Sequence, residues 1–231
     1  MTSRAALIRH GKNERDDRVA RALMARGFEL DQRFVALGQP FPELDEGHEV
    51  CVVYGGPQMA SAAEETDYLA EELRWIDRWL AAQRPFLGIC LGAQMLARSQ
   101  GARVAKHREG LNEIGYVEVH PTPRGREIVP EPMHVYHWHT EGFEVPPGAE
   151  LLATGRTFEN QAFRLDARSY GLQFHPEVTL EMMESWMSEA GHMLSWPGAQ
   201  EREVQLDHAS RHHAPLGAWL EGFLDRLLEG R

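Results

Sequence analysis

Two apolar rhythms alternate along the first hundred residues. The runs RAALIRH, HEVCVVYGG and RPFLGIC are short, nearly continuous and in part β-branched, the pattern of strands covered on both faces. Between them, apolar residues return every three or four positions. In DDRVARALMARGFEL, Val19, Leu23 and Met24 fall on one helical face and Gly27 offers a stop. In AEETDYLAEELRWIDRWLAAQ, Leu69, Leu73, Ile76 and Leu80 repeat at helical spacing behind an acidic first turn. LGAQMLARSQG reads as a further helix ended by Gly101, and RFVALG as a short strand. Strand and helix alternating in this way predict a parallel sheet with helices on its faces.

Beyond residue 110 the rhythm shortens. IGYVEVHPT, GREIVP, HVYHW, AELLATG, NQAFRLD and SYGLQFHP are strand-like pieces punctuated by Gly and Pro, which predicts further strands with an antiparallel section. TLEMMESWMSEAGHML and LGAWLEGFLDRLLE read as closing helices, and SWPGAQEREVQLDHASRHHAP between them reads as irregular and polar. No repeat or low-complexity linker divides the chain, so one domain over residues 1–231 is expected, with a C-terminal helical extension from about 195.

Composition narrows the partners. Lys plus Arg is 24 and Asp plus Glu is 35, for a formal net charge of −11. An acidic surface disfavours nucleic acid and anionic membranes, and neither is expected as a partner. Two cysteines make no disulfide framework and fit a reducing compartment. The N-terminal apolar stretch is too short for a signal-peptide core, and no window approaches a membrane span. A cytoplasmic location is the expectation.

One of the two cysteines sits where chemistry is possible. Gly88-Ile89-Cys90-Leu91-Gly92 joins a predicted strand to a predicted helix. A sharp turn there pushes the apex residue into strained backbone geometry and lifts its side chain above the sheet edge. The amide of Leu91 begins a helix and is free to donate to a developing oxyanion, and the helix start favours a thiolate at Cys90. Gln94 lies one helical turn on, on the same face. A buried cysteine between packing glycines would write the same letters.

Two distant segments bear on the choice. In YGLQFHPEV, His175 and Glu177 are two apart, so an extended backbone points both the same way, and Glu177 can hold one ring nitrogen while the other faces a thiol. In VYGGPQMAS, the amide of Gly56 is a second oxyanion donor without side-chain cover. Each segment alone is equally an ordinary loop. Together they imply acyl transfer through a thioester at Cys90.

YGGPQ, PFLGICLGAQMLA and YGLQFHPE, in this order and spacing, resemble the class I glutamine amidotransferase family, from about Ala5 to about Trp186. LNEIGYVEV, with Glu113-Ile114-Gly115, and HWHTEGFEVPPGAELLA are similar to its stand-alone, GMP-synthase-like members. The resemblance implies an α/β, flavodoxin-like three-layer fold with a mostly parallel central sheet and a small antiparallel section. It implies hydrolysis of the glutamine side-chain amide to glutamate and ammonia. Cys90, His175 and Glu177 match the triad, and the amides of Gly56 and Leu91 match the oxyanion hole. Gly55, Gln94, Trp138 and His139 match positions around the substrate. The partner implied is glutamine or another γ-glutamyl compound, with a separate synthase subunit accepting ammonia as a further option.

Other residues fit blander roles. His134, His137 and His139 cluster, and the last two alternate as ligands on a strand do, but no cysteine lies nearby and no metal or cofactor is expected. His208 and His212 read as part of a solvated segment, Cys51 as core, and Trp75 with Trp79 as helix–sheet packing. Neither a G-x-x-x-x-G-K-[ST] loop nor an S-G-G-x-D-S motif is present, so a complete GMP synthetase is not expected. The alternatives are a stand-alone γ-glutamyl peptidase or hydrolase, and a non-catalytic regulatory relative. The related cysteine hydrolases and chaperones are disfavoured, because the histidine comes late in the chain rather than directly after the cysteine.

Overall fold

The computed structural model describes residues 3–11 and 16–229. A nine-stranded sheet forms the centre. Its first half is parallel: β2 (Glu29–Phe34), β1 (Arg4–Arg9), β3 (His48–Val53), β4 (Phe86–Ile89) and β11 (Ser169–Leu172), in that order. Its second half continues antiparallel through β10 (Asn160–Asp166), β9 (Glu150–Thr154), β6 (Glu113–Pro121) and β7 (Met133–His139). A separate two-stranded antiparallel sheet pairs β5 (Val104–Lys106) with β8 (Glu141–Phe143). The helices are α1 (Arg18–Ala25), α2 (Asp67–Ala81), α3 (Leu91–Ser99), α4 (Leu180–Glu189) and α5 (Arg202–Leu228).

The core lies in two layers, one on each face of the sheet. Alternate residues of β1 serve both, Ala5 and Leu7 facing one layer and Ala6 and Ile8 the other. One layer takes Val19 and Leu23 of α1 with Leu216, Leu220 and Leu224 of α5. The other takes Leu69, Trp75, Ile76 and Trp79 of α2 with Met95 and Leu96 of α3. Both faces of β1, β3 and β4 are therefore covered, and this is why their sequences are nearly continuously apolar, whereas β2 at the sheet edge is polar. Cys51 of β3 is fully buried, and burial pushes its thiol well above the ordinary range. The rings of Trp75 and Trp79 pack 5.3 Å apart.

Several expectations shift in register. The second strand starts upstream of RFVALG and takes in only its Arg33 and Phe34, because Gly27 (φ 84°) ends α1 and the chain extends at once from Glu29. Val35–Leu37 instead tightens into a 3₁₀ turn. The segment GREIVP holds a 3₁₀ turn, Gly125–Glu127, rather than a strand. Met24 is exposed, since the buried face of α1 is formed by Val19, Ala20, Ala22 and Leu23. The largest difference is at the C-terminus. Much of the segment expected to be irregular belongs to α5, a 27-residue helix running through Pro215. Gln205 and Ala209 extend its buried stripe upstream of the proline, and packing outweighs the lost amide.

Candidate active site

Cys90 occupies the turn between β4 and α3 with φ 50° and ψ −105°. This is a positive-φ conformation that few non-glycine residues adopt. The flanking glycines make the turn possible. A Cβ on Gly88 would lie 2.5 Å from the carbonyl oxygen of Gly92, and a Cβ on Gly92 would lie 2.0 Å from that of Val53. Strand, turn and helix therefore meet backbone to backbone. The Cys90 amide donates to Leu172 of β11 (2.8 Å), and its carbonyl accepts from the amide of Gln94 (3.0 Å). The turn is thus tied to the strand that leads to His175.

β11 ends at Leu172, and the chain then bends through Phe174 to His175. The His175 amide donates to Tyr136 of β7 at 2.8 Å, which fixes the segment above the sheet edge. His175 and Glu177 are both buried, and Nδ1 of the ring lies 2.7 Å from Oε1 of Glu177. Burial works against a charged imidazole, but the charge of Glu177 and contact with Cys90 outweigh it and hold His175 protonated well above the usual histidine range. The edge of the ring packs against Trp186 of α4, with centroids 5.0 Å apart.

The Gly55-Gly56 loop leaves β3 beside this pair. A Cβ on Gly55 would lie 2.7 Å from Cε1 of His175 and 3.5 Å from Cβ of Cys90. A Cβ on Gly56 would lie 3.1 Å from Cδ2 of Leu91. Gly56 and Leu91, the two expected oxyanion donors, are thus neighbours. Leu91 opens α3, so its amide has no acceptor within the helix.

Of the remaining expected residues, Trp138 comes directly to the sulfur. Sγ of Cys90 lies 4.0 Å from the carbonyl oxygen of Trp138. Gln94 is buried, and its Nε2 donates to the carbonyl of Glu141 (2.8 Å) and to Oε1 of Gln173 (3.2 Å). Its amide nitrogen is therefore engaged within the protein. The indole N–H of Trp138 points to Sδ of Met193 at 3.4 Å.

His139 is buried in a cluster of its own. Its Nδ1 donates to the carbonyl of Glu141 (2.8 Å), and its Nε2 faces Oε2 of Glu113 (3.0 Å) and Nδ1 of His137 (3.1 Å). Gln161 donates to the same Glu113 oxygen at 2.9 Å. Three atoms of metal-ligand type converge here. An N–H on His139 Nε2 can bridge the Glu113 oxygen and the His137 nitrogen together. Burial pushes His137 down to about 3, so it is neutral near pH 7. His134 faces elsewhere, its ring stacked 4.2 Å from that of His212 of α5.

Sequence reasoning passed over His10, Glu72, Glu141 and Gln161 as parts of the site's surroundings. Glu72 carried a signal: it stands between Leu69 and Ile76 in the apolar stripe of α2. A carboxylate in such a stripe calls for a partner. His10 carried only the hint of a basic residue directly after an apolar strand.

The chain and its fold have known counterparts. The sequence model of the family described as glutamine amidotransferase class-I matches residues 16–191. The crystal structure of a glutamine amidotransferase from Thermotoga maritima superposes with a TM-score of 0.89 at 28% identity, covering 100% of both chains. The glutamine amidotransferase-like protein YfeJ of Salmonella typhimurium is 29% identical over 202 residues, 84% of this chain and 81% of that one. Gamma-glutamyl peptidase 4 of Arabidopsis thaliana is 30% identical over 152 residues, 62% of this chain and 60% of that one.

Proposed function

The chain belongs to the class-I glutamine amidotransferase family, and from that premise we propose that it hydrolyses the side-chain amide of glutamine, or a γ-glutamyl amide, through a thioester at Cys90. The observation that carries this reading is the strained Cys90 (φ 50°) beside a buried His175 whose Nδ1 is held by Glu177 at 2.7 Å. With Nδ1 engaged, Nε2 is the nitrogen that serves the sulfur. The Cys90 thiolate attacks the amide carbon, and the carbonyl oxygen takes negative charge between the amides of Gly56 and Leu91. The C–N bond then breaks as the His175 imidazolium gives its proton to the departing nitrogen. Water attacks the thioester, His175 takes its proton, and glutamate leaves with Cys90 restored.

Substrate binding follows from the same surroundings. Gly55 lines the approach to Cys90. The backbone of Trp138 and His139 and the oxygen of Gln94 accept from the ammonium group of the γ-glutamyl end. Glu113 and His137 hold the ring of His139 next to these acceptors.

A second reading of the leaving group has its own support. Trp186 stands perpendicular to His175 and packs against Trp138, with the two indole centroids 6.0 Å apart. The histidine that gives up the proton thus has an aromatic neighbour able to pack a substituent on the departing nitrogen, and a γ-glutamyl peptidase is among the relatives. A substituted amine is then the leaving group in place of ammonia. A separate synthase subunit taking up ammonia belongs to the first reading only.

The test is intact-mass spectrometry after treatment with a glutamine-like diazo-ketone, on wild type and on Cys90→Ala. A single adduct on wild type and none on the variant is expected. Glutamate release from glutamine and from a panel of γ-glutamyl amides then separates the two leaving groups. A folded wild type that takes no adduct and releases no glutamate from any of them sinks the proposal.

A further inference from the structure

A second histidine lies directly behind the oxyanion loop. His10 follows β1 and its side chain is fully buried, as is that of Glu72 on α2. The two meet at 2.7 Å, Nε2 to Oε2. The other ring nitrogen, Nδ1, lies 3.1 Å from the carbonyl oxygen of Tyr54. A carbonyl oxygen only accepts, so Nδ1 carries a proton and donates it. Nε2 faces a carboxylate and shares a second proton with it. Burial opposes the charged ring, but Glu72 outweighs it, and His10 is raised above its ordinary value.

The contacts of this ring lead to one peptide. The Tyr54 carbonyl belongs to the Tyr54–Gly55 bond, and the Gly55 backbone also interacts with the imidazole. On the next residue, a Cβ on Gly56 would lie 2.4 Å from Cβ of His10. His10 therefore grips the Tyr54–Gly55 peptide, adjacent to the peptide that carries the Gly56 amide, and walls Gly56 itself. An imidazole bonded through both nitrogens has a fixed plane, and here one nitrogen is anchored on a helix and the other on the loop. A buried ion pair is weak evidence for stability, since apolar residues of equal volume often serve as well. What this pair supplies is direction.

We propose that His10, held by Glu72, is a positioning residue that aims the Gly56 amide into the oxyanion hole. The proposal rests on the acyl-transfer reading above and adds a residue pair that touches neither substrate nor nucleophile. Misaimed donors cost transition-state stabilisation and leave ground-state binding intact, so the signature is a fall in kcat at nearly constant KM.

The experiment compares wild type, His10→Leu, His10→Asn and Glu72→Gln. Asparagine retains a donor for the Tyr54 carbonyl; leucine has none. In steady-state hydrolysis of the best γ-glutamyl amide, His10→Leu is expected to lose on the order of 10²-fold in kcat, the scale of one oxyanion donor, with KM nearly unchanged. His10→Asn is expected to recover most of that loss. In two-dimensional amide NMR, the Gly56 cross-peak is expected to move in His10→Leu and to return toward its wild-type position in His10→Asn. Wild-type kcat in His10→Leu, a change in KM alone, or an asparagine variant no better than leucine overturns the proposal. If wild type hydrolyses no amide, the acyl-transfer reading fails, and the Gly56 cross-peak still decides the positioning role: an unmoved peak overturns it. If His10→Leu does not fold, Glu72→Gln takes its place, with a loss in kcat of about tenfold expected at constant KM, and wild-type kcat in that variant overturns the pair's role.

Discussion

Gly55 and His175 compete for one volume: the space a Cβ would need at Gly55 is taken by the imidazole, 2.7 Å away at Cε1. The absence of a side chain at residue 55 is what lets His175 reach Cys90. Gly55→Ala is therefore expected to push the ring off the sulfur. A displacement of about 1 Å costs on the order of 10²-fold in rate, and overpacking lowers stability by about 1–3 kcal/mol. The rate of Cys90 alkylation and a urea titration read the two effects separately, and unchanged alkylation would remove the steric link.

Gly92 is expected to be the less tolerant glycine. Its would-be Cβ meets a backbone oxygen, that of Val53, at 2.0 Å. A side chain can rotate away, but the carbonyl belongs to a strand that cannot. Gly92→Ala should lose stability at or beyond the upper end of about 1–3 kcal/mol, and Gly88→Ala, whose Cβ would meet the Gly92 oxygen at 2.5 Å, should follow in the same direction. Urea midpoints check both, and a midpoint unchanged in Gly92→Ala contradicts the packing described.

Stability is expected to peak near pH 6.5. His10 and His175 are raised above the ordinary histidine value of about 6.5, each through a carboxylate partner that overcomes burial. The native state keeps these protons where the unfolded chain releases them, so their stabilisation is complete below about pH 6.5 and is lost as pH rises through the native pKa. Burial drives His137 down to about 3 and His213 down to about 4. The unfolded chain binds protons there that the native state refuses, so stability climbs from about pH 4 to 6.5. Unfolding midpoints between pH 4 and 9 trace both limbs. Glu177→Gln should flatten the alkaline limb, and a wild type that gains stability from pH 6.5 to 9 would contradict the assignment.

The start of α5 is expected to be tied to β7 through Gln205. This buried residue accepts from the hydroxyl of Tyr136 at 2.9 Å, and its Nε2 donates to the Gln200 carbonyl at 2.9 Å. Gln200 in turn bonds the backbone of Tyr116 on β6. Gln205→Leu leaves a buried hydroxyl without an acceptor, at a cost of about 1–3 kcal/mol. Differential scanning calorimetry of wild type and variant gives the difference directly.

Legibility varied with the range of the interaction. The alternation of β1, α1, β3, α2, β4 and α3 was readable because each apolar run or stripe records what covers it. RFVALG misled because an apolar triplet at the end of a strand looks the same whether it extends or tightens into a 3₁₀ turn. The polar segment before Pro215 hid a helix, since histidines and a proline obscure a stripe whose buried members are Gln205 and Ala209.

By itself the sequence determined the local chemistry of the turn: a cysteine between two glycines at a strand–helix junction, a histidine two residues before a glutamate, and a loop of bare backbone. Spacing along one chain carries that much because backbone geometry over five residues is nearly closed. Only the tertiary structure decided that His175 is buried against Cys90 and Glu177, that Gly55 is the space its ring fills, and that Gln94 spends its amide nitrogen on Glu141. It alone brought Glu72 to His10, 62 residues apart, behind the same loop. Burial is a property of the whole packed chain, and burial is what turns such pairs from solvated charges into fixed, directional contacts.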